Sequence, residues 1–140
     1  MNALDRMVVT WSDTYATHIP SVDRQHQALV ELISRLQRAM LGARTKEELP
    51  GLLEKLIEYT KFHFAWEEKL LEEQGYPDLA KQRAEHAILT EQVLELQRKW
   101  DANRLTVGAP VMVFLRHWLT DHIVGSDHLY AALLKKNGVE

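Results

Sequence analysis

The chain has 140 residues, 46% of them apolar, which suits one globular domain around a single core. Lys and Arg total 17 against 20 Asp and Glu, and a net charge of −3 gives no electrostatic reason to bind nucleic acid or an anionic membrane surface. The absence of cysteine excludes disulfides, thiolate metal sites and thiol catalysis, and fits a cytoplasmic protein. The N-terminus carries Asp5, Arg6 and Asp13 and has no apolar signal-peptide core. No apolar run reaches membrane-spanning length, so no membrane association is expected.

Residues 1–20 show no helical period and end at Pro20, which predicts an ordered but irregular arm. Its Val8, Val9, Trp11, Tyr15 and Ile19 are expected to pack on the rest of the chain. A first helix is predicted from about Val22 to Leu41, with Ser21 or Asp23 as N-cap and Gly42 as its stop. A second runs from about Thr45 to Gln74, with Pro50 tolerated because it lies in the first turns. Gly75-Tyr76-Pro77 forms a sharp break. A third helix runs from about Pro77 to Trp100, followed by a loop from Asp101 to Gly108. The fourth begins near Ala109-Pro110 and ends at Lys136, before Asn137-Gly138. Short connections between four helices predict an all-α, up-down-up-down four-helix bundle with an irregular N-terminal arm, one domain over residues 1–140.

Each helix carries an apolar stripe with polar interruptions. His26 falls in Val22, His26, Leu29, Ile33, Leu36, Met40. His63 and Glu67 fall in Leu49, Leu52, Leu56, His63, Glu67, Leu70. Gln82 and His86 fall in Leu79, Gln82, His86, Leu89, Val93, Leu96, Trp100. His122 falls in Val111, Leu115, Trp118, His122, Leu129, Leu133. Steps of three and four place each set on one helix face, and a bundle buries that face. A buried polar group needs a partner. Imidazoles and carboxylates at core depth on four inward faces predict a metal centre between the helices.

Nitrogen and carboxylate donors suit first-row metals. Four histidines with two carboxylates exceed the needs of one tetrahedral zinc and suit a pair of metals, most simply iron. The second carboxylate is Asp127. In a regular α-helix it would lie ~140° from His122. A π-type turn near Ile123–Ser126 would advance the phase and turn Asp127 inward. The following residues accept either phase, since Tyr130, Ala131 and Leu134 continue the shifted stripe.

These residues resemble a known family. Trp11, Asp23-Arg24-Gln25-His26, His63-Phe64-Ala65-Trp66-Glu67-Glu68, Gly75-Tyr76-Pro77, His86, and Trp118-Leu119-Thr120-Asp121-His122-Ile123 with Asp127 and Tyr130 together look like bacterial hemerythrin over nearly the whole chain. The resemblance implies a non-haem di-iron centre that binds dioxygen. It implies that His26 and His63 hold one iron, that His86 and His122 hold the other, and that Glu67 and Asp127 bridge them. A solvent-derived oxo or hydroxo group is implied as third bridge.

One position departs from the pattern. The family carries a further histidine one turn before the equivalent of His86, and here that position is Gln82. Gln82 either donates its amide oxygen as a weak neutral ligand, holds a water in that coordination position, or serves as a structural amide. The departure weighs toward redox chemistry on peroxide, oxygen or nitric oxide rather than simple oxygen carriage.

Other polar residues have plainer readings. Asp23 reads as a helix cap, His18 as a non-ligand, and His117 and His128 as surface groups. Glu68, Glu72 and Glu73 read as a solvated face, although Glu68 belongs to the family motif. Leu29, Phe64, Trp118, Leu119 and Ile123 read as core, and the resemblance adds that they wall a dry pocket. Three functions follow in order of weight. One is an oxygen-binding module for storage, delivery or sensing. Another is a peroxidase-like or nitric-oxide-reducing enzyme, open to small ligands such as azide and supplied by a separate redox partner. The last is a metal-free interaction bundle. Ferritin-like di-iron chemistry is disfavoured because no Glu-x-x-His pair is present, and a zincin protease because His-Glu-x-x-His is absent.

Overall fold

A computed structural model describes residues 5–105 and 107–140 of the chain. The first four residues of the predicted arm, and Thr106 of the predicted 101–108 loop, lie outside the described residues. Helix α1 spans Pro20–Leu41, α2 Thr45–Glu73 and α3 Leu79–Asp101. The last helical stretch has three parts: α4 at Ala109–Thr120, a π-helical segment at Asp121–Asp127, and α5 at His128–Lys136. Together they form a four-helix bundle in which α1 packs on α2 and α4, and α2 packs on α3. No described helix is long and apolar enough to cross a membrane.

Local chemistry sets the boundaries. Pro20 starts α1, where its missing N–H costs nothing. Pro50 sits in the first turns of α2 and is absorbed there. Gly75 takes φ 69°, a left-handed turn that closes α2, and the Tyr76 N–H bonds back to the Leu71 carbonyl at 3.0 Å. The third helix starts at Leu79 rather than Pro77, because Tyr76–Asp78 are used in the turn.

The arm folds onto the bundle through two short 3₁₀ turns, Asp5–Met7 and Asp13–Tyr15. Val9, Tyr15 and Ile19 are buried, and Val8 and Trp11 lie half-buried against the core. The expected side-chain cap on α1 is not what holds its start. Ile19 occupies the N-cap position and makes no side-chain bond. Asp23 instead reaches back to the arm. Its Oδ1 accepts from the Thr17 amide at 2.8 Å and the Thr17 hydroxyl at 2.7 Å, and its Oδ2 from the His18 amide at 3.0 Å. Those bonds hold His18 at φ 64°, a conformation disfavoured for a residue with a Cβ.

A buried amide ties the arm to two helices. Gln37 Oε1 accepts from the Val9 amide at 2.8 Å. Its Nε2 donates to the carbonyls of Met7, at 2.9 Å, and Met112, at 3.1 Å. The Val9 N–H and the Met7 carbonyl would lose this partner, and the Met112 carbonyl an additional bond, if this side chain became apolar.

The interior is layered. A large apolar cluster includes Leu29, Ile33, Phe64, Leu89, Trp118, Leu119 and Ile123. A smaller one contains Ile19, Val22, Leu71, Tyr130 and Leu134. Along α1 the order is Val22, His26, Leu29; along α2, Phe64, Glu67, Leu71; along the last stretch, Ile123, Asp127, Tyr130. The buried His26, Glu67 and Asp127 therefore lie in a layer between two dry regions. Beyond the π segment only the shifted phase is buried: Tyr130 and Leu134 are inside, whereas Leu129 is 65% exposed.

Gln37→Leu is expected to destabilise the protein by ~2–4 kcal/mol, from unpaired buried backbone groups. Urea unfolding of the metal-free protein measures it, and a loss under ~0.5 kcal/mol would mean that the arm is not held this way.

Candidate metal centre

His63 and Glu67 leave α2 four residues apart on one face, and Gln82 and His86 do the same from α3. His26 projects from the middle of α1. The π segment solves the remaining problem of phase. Its i→i+5 spacing brings His122 and Asp127, at its start and end, onto the same side, with His122 Nε2 3.0 Å from Asp127 Oδ2. The segment is longer than the predicted distortion, covering Asp121–Asp127 rather than Ile123–Ser126.

One donor atom from each of His26, His63, Glu67, His122 and Asp127 lies within 4.8 Å of all the others, and all five residues are buried. His26 Nε2 approaches Asp127 Oδ2 to 2.6 Å and Glu67 Oε2 to 3.5 Å. His63 Nε2 lies 3.2 Å from Glu67 Oε2. The Nε2 atoms of His63 and His122 face each other at 3.3 Å. His86 stands beside this group, its Nε2 2.9 Å from Glu67 Oε1. Gln82 Nε2 donates to Glu67 Oε1 at 3.0 Å and to Asp127 Oδ1 at 2.7 Å. Every residue singled out from the sequence as a candidate ligand thus lies in this layer. Gln82 presents its amide nitrogen to the carboxylates.

Outer partners orient the rings. His63 Nδ1 bonds Gln25 Oε1 at 2.8 Å, and His86 Nδ1 bonds Glu68 Oε2 at 2.8 Å. The oxygen accepts in each of these bonds, so Nδ1 carries a proton in both rings and Nε2 is aimed inward at Glu67. Arg83 Nε in turn holds Glu68 Oε1 at 3.3 Å. The Tyr130 hydroxyl donates to Glu67 Oε2 at 2.9 Å. Phe64 stacks on the His86 ring with centroids 3.9 Å apart.

The sequence did not single out Gln25, and it placed Glu68 on a solvated face. Glu68 is instead half-buried on His86, and its signal was the motif next to Glu67. His128, expected as a surface group, is half-buried and bonds the Tyr15 carbonyl at 3.2 Å through Nε2. His18 and His117 are exposed, as are Glu72 and Glu73.

The electrostatics describe carboxylates that draw protons onto neighbouring imidazoles. Burial opposes a charge on His26, but Asp127 and then Glu67 outweigh it and push the pKa up to about 10. Burial lowers His63, and Glu67 offsets this only in part. Burial would raise Glu67, yet His63 and His122, with hydrogen bonds from His26 and His63, hold it well below the usual carboxylate range. Burial is also opposed at His86, where bonding to Glu67 and Glu68 raises the ring. Tyr130 is pushed well up by burial and by the negative charge of Asp127 and Glu67, so it remains a neutral donor.

The donor set fits a metal. Buried atoms of three ligand candidates, both ring nitrogens of His26, Nδ1 of His122 and Oδ2 of Asp127, have no aligned hydrogen bond. The buried carboxylates draw positive charge, and a bound metal ion can take the place of the protons they raise on His26 and His86. A cleft of about 320 Å³ opens toward the layer between α3 and α4. Its walls include Ile88, Leu89, Phe114 and Trp118, and His122 lines it from the interior side. The Trp118 indole is fixed there by a 3.0 Å bond to the Leu89 carbonyl.

Comparison with known proteins gives a consistent picture. A family model described as the hemerythrin HHE cation binding domain matches residues 17–134. The bacteriohemerythrin of Methylococcus capsulatus is 33% identical over 129 residues, spanning 91% of this chain and 97% of that protein. That of Stenotrophomonas maltophilia is 29% identical over 128 residues, spanning 91% of this chain and 82% of that protein. A solved structure of wild-type hemerythrin is similar at a TM-score of 0.81 and 30% identity, covering 91% of this chain and 98% of its own.

Gln25→Leu is expected to weaken metal binding ~10–100-fold by freeing the His63 ring, with little change in the melting point of the metal-free protein. Competition against a chelator measures this, and unchanged affinity would remove Gln25 from the support of the site.

Proposed function

This chain belongs to the hemerythrin family, and from that premise we propose that it is a non-haem di-iron protein binding dioxygen or a related small ligand inside the bundle. His26 and His63 hold one iron, His86 and His122 the other, and Glu67 and Asp127 bridge the two with a solvent-derived oxo or hydroxo group. The observation that carries this reading is the convergence of five buried donor residues within 4.8 Å, with His86 2.9 Å from Glu67. When bound, the iron pair supplies redox exchange with dioxygen.

The chain's own residues do the rest. Gln25 and Glu68 fix two imidazole rings, and Tyr130 holds Glu67. Phe64, Trp118, Leu119 and Ile123 keep bulk water from the layer, which slows proton access and loss of reduced oxygen. The cleft beside His122 admits a small ligand. The role is oxygen storage, transport or sensing in the cytoplasm.

A second reading makes the protein a di-iron redox enzyme acting on peroxide or nitric oxide, supplied with electrons by a separate redox partner. It is favoured by Gln82, whose amide nitrogen faces the carboxylates and offers no donor atom. A coordination position is then left to exchangeable ligands such as azide, peroxide or nitric oxide.

Supplied with excess iron, the protein should bind close to two irons per chain. Glu67→Ala should lose both, because the carboxylate touches both groups of histidines. Zinc alone, or one iron at saturation, would contradict the di-iron reading, and loss of a single iron in the variant would contradict bridging. Oxygen added to the reduced protein then separates the two roles. An optical band that vanishes on deoxygenation means carriage, whereas one-way oxidation with peroxide or nitric oxide turnover means catalysis.

A further inference from the structure

Gln82 sorts the carboxylate oxygens into two sets. Asp127 Oδ2 and Glu67 Oε2 face His26, His63 and His122, at 2.6–3.5 Å. Glu67 Oε1 faces His86 at 2.9 Å and His122 at 3.9 Å, and with Asp127 Oδ1 it receives the two N–H groups of Gln82, at 3.0 and 2.7 Å. The amide is 3% exposed, so water does not compete for these bonds. Its orientation is dictated by chemistry. Turned over, the carbonyl oxygen would sit against two carboxylate oxygens, and every lone pair would repel.

We propose that Gln82 is a positioning residue that clamps Glu67 and Asp127 together and makes the two metal positions unequal, one tight and one weak. The inference rests on the metal-centre reading above. The tight position is the compact one, served by His26, His63, Glu67 Oε2 and Asp127 Oδ2. The clamp favours it by holding both carboxylates in place. The weak position lies between His86 and His122. A metal there must draw on the oxygens that Gln82 already occupies, and an amide N–H cannot ligate it. Binding at the second position therefore uses the remaining lone pairs of oxygens whose charge the amide has already drawn on, and it gains no ligand atom from Gln82.

The test is anaerobic titration of the metal-free protein with ferrous iron under chelator competition, with the metal count read by native mass spectrometry. The wild type should bind two irons with dissociation constants at least ~100-fold apart, the missing ligand and the weakened oxygens together being of that order. Gln82→His replaces the clamp with an imidazole one turn from His86, and should bring the two constants within ~10-fold. Gln82→Met keeps the volume but has no N–H. It should weaken the first iron ~10-fold or more and leave the second weak, an effect on stepwise affinity that a purely packing role would not produce. Two equal affinities in the wild type, or an unchanged first affinity in Gln82→Met, would overturn the inference while leaving the metal centre standing. Failure of the wild type to bind iron at any concentration would remove the metal centre and the inference with it. The wild-type ratio requires no variant, so the inference is tested even if a substituted chain does not fold.

Discussion

Glu67 and Asp127 are fully buried between two apolar clusters, and that arrangement governs the architecture. An ionised carboxylate in such surroundings is very costly unless it is paired and hydrogen-bonded. Here the compensation comes from every side. His26, His63, His86 and His122 converge from four directions, and Tyr130 and Gln82 add neutral donors. Helix register and the position of the π segment serve that layer. A bundle with leucines in its place could do without the π segment.

Rigidity is built outward from this layer. Gln25 and Glu68 fix ring orientation, and Arg83 fixes Glu68. Phe64 and Trp118 close one side with aromatic surface. The arm is held separately, by Gln37 and Asp23, so the start of α1 is fixed without using any of the site's own donors. The separation matters functionally, because metal loss need not loosen the arm, and a weakened arm need not strip the metal.

The helices were legible because their apolar stripes are long and regular, and polar interruptions in those stripes pointed to the layer. The need for a π turn was legible too, since His122 and Asp127 cannot share a face of a regular helix. Its extent was not, because the residues after it carry apolar side chains in both phases, Leu129 and Leu133 in one and Tyr130 and Leu134 in the other. Other features depend on which residues meet across helices, and one sequence does not contain that. Gln25 meets His63, Glu68 meets His86, and Gln37 meets Val9 and Met112 only once the helices have rotated into place. Gln82 is the sharpest case. Its spacing placed it beside His86, but whether its oxygen or its nitrogen faced inward turned on the two carboxylates arriving from α2 and the π segment. Glu68 misled for the opposite reason, as one of several acidic residues that end α2.

Anomalous diffraction at the iron edge, from crystals of the iron-loaded protein, tests the account most directly. The account predicts iron peaks inside the polar layer, in contact with Nε2 of His26 and His63 and bordered by Glu67 and Asp127. Iron found only at exposed carboxylates such as Glu72 and Glu73, with none inside the layer, would contradict it.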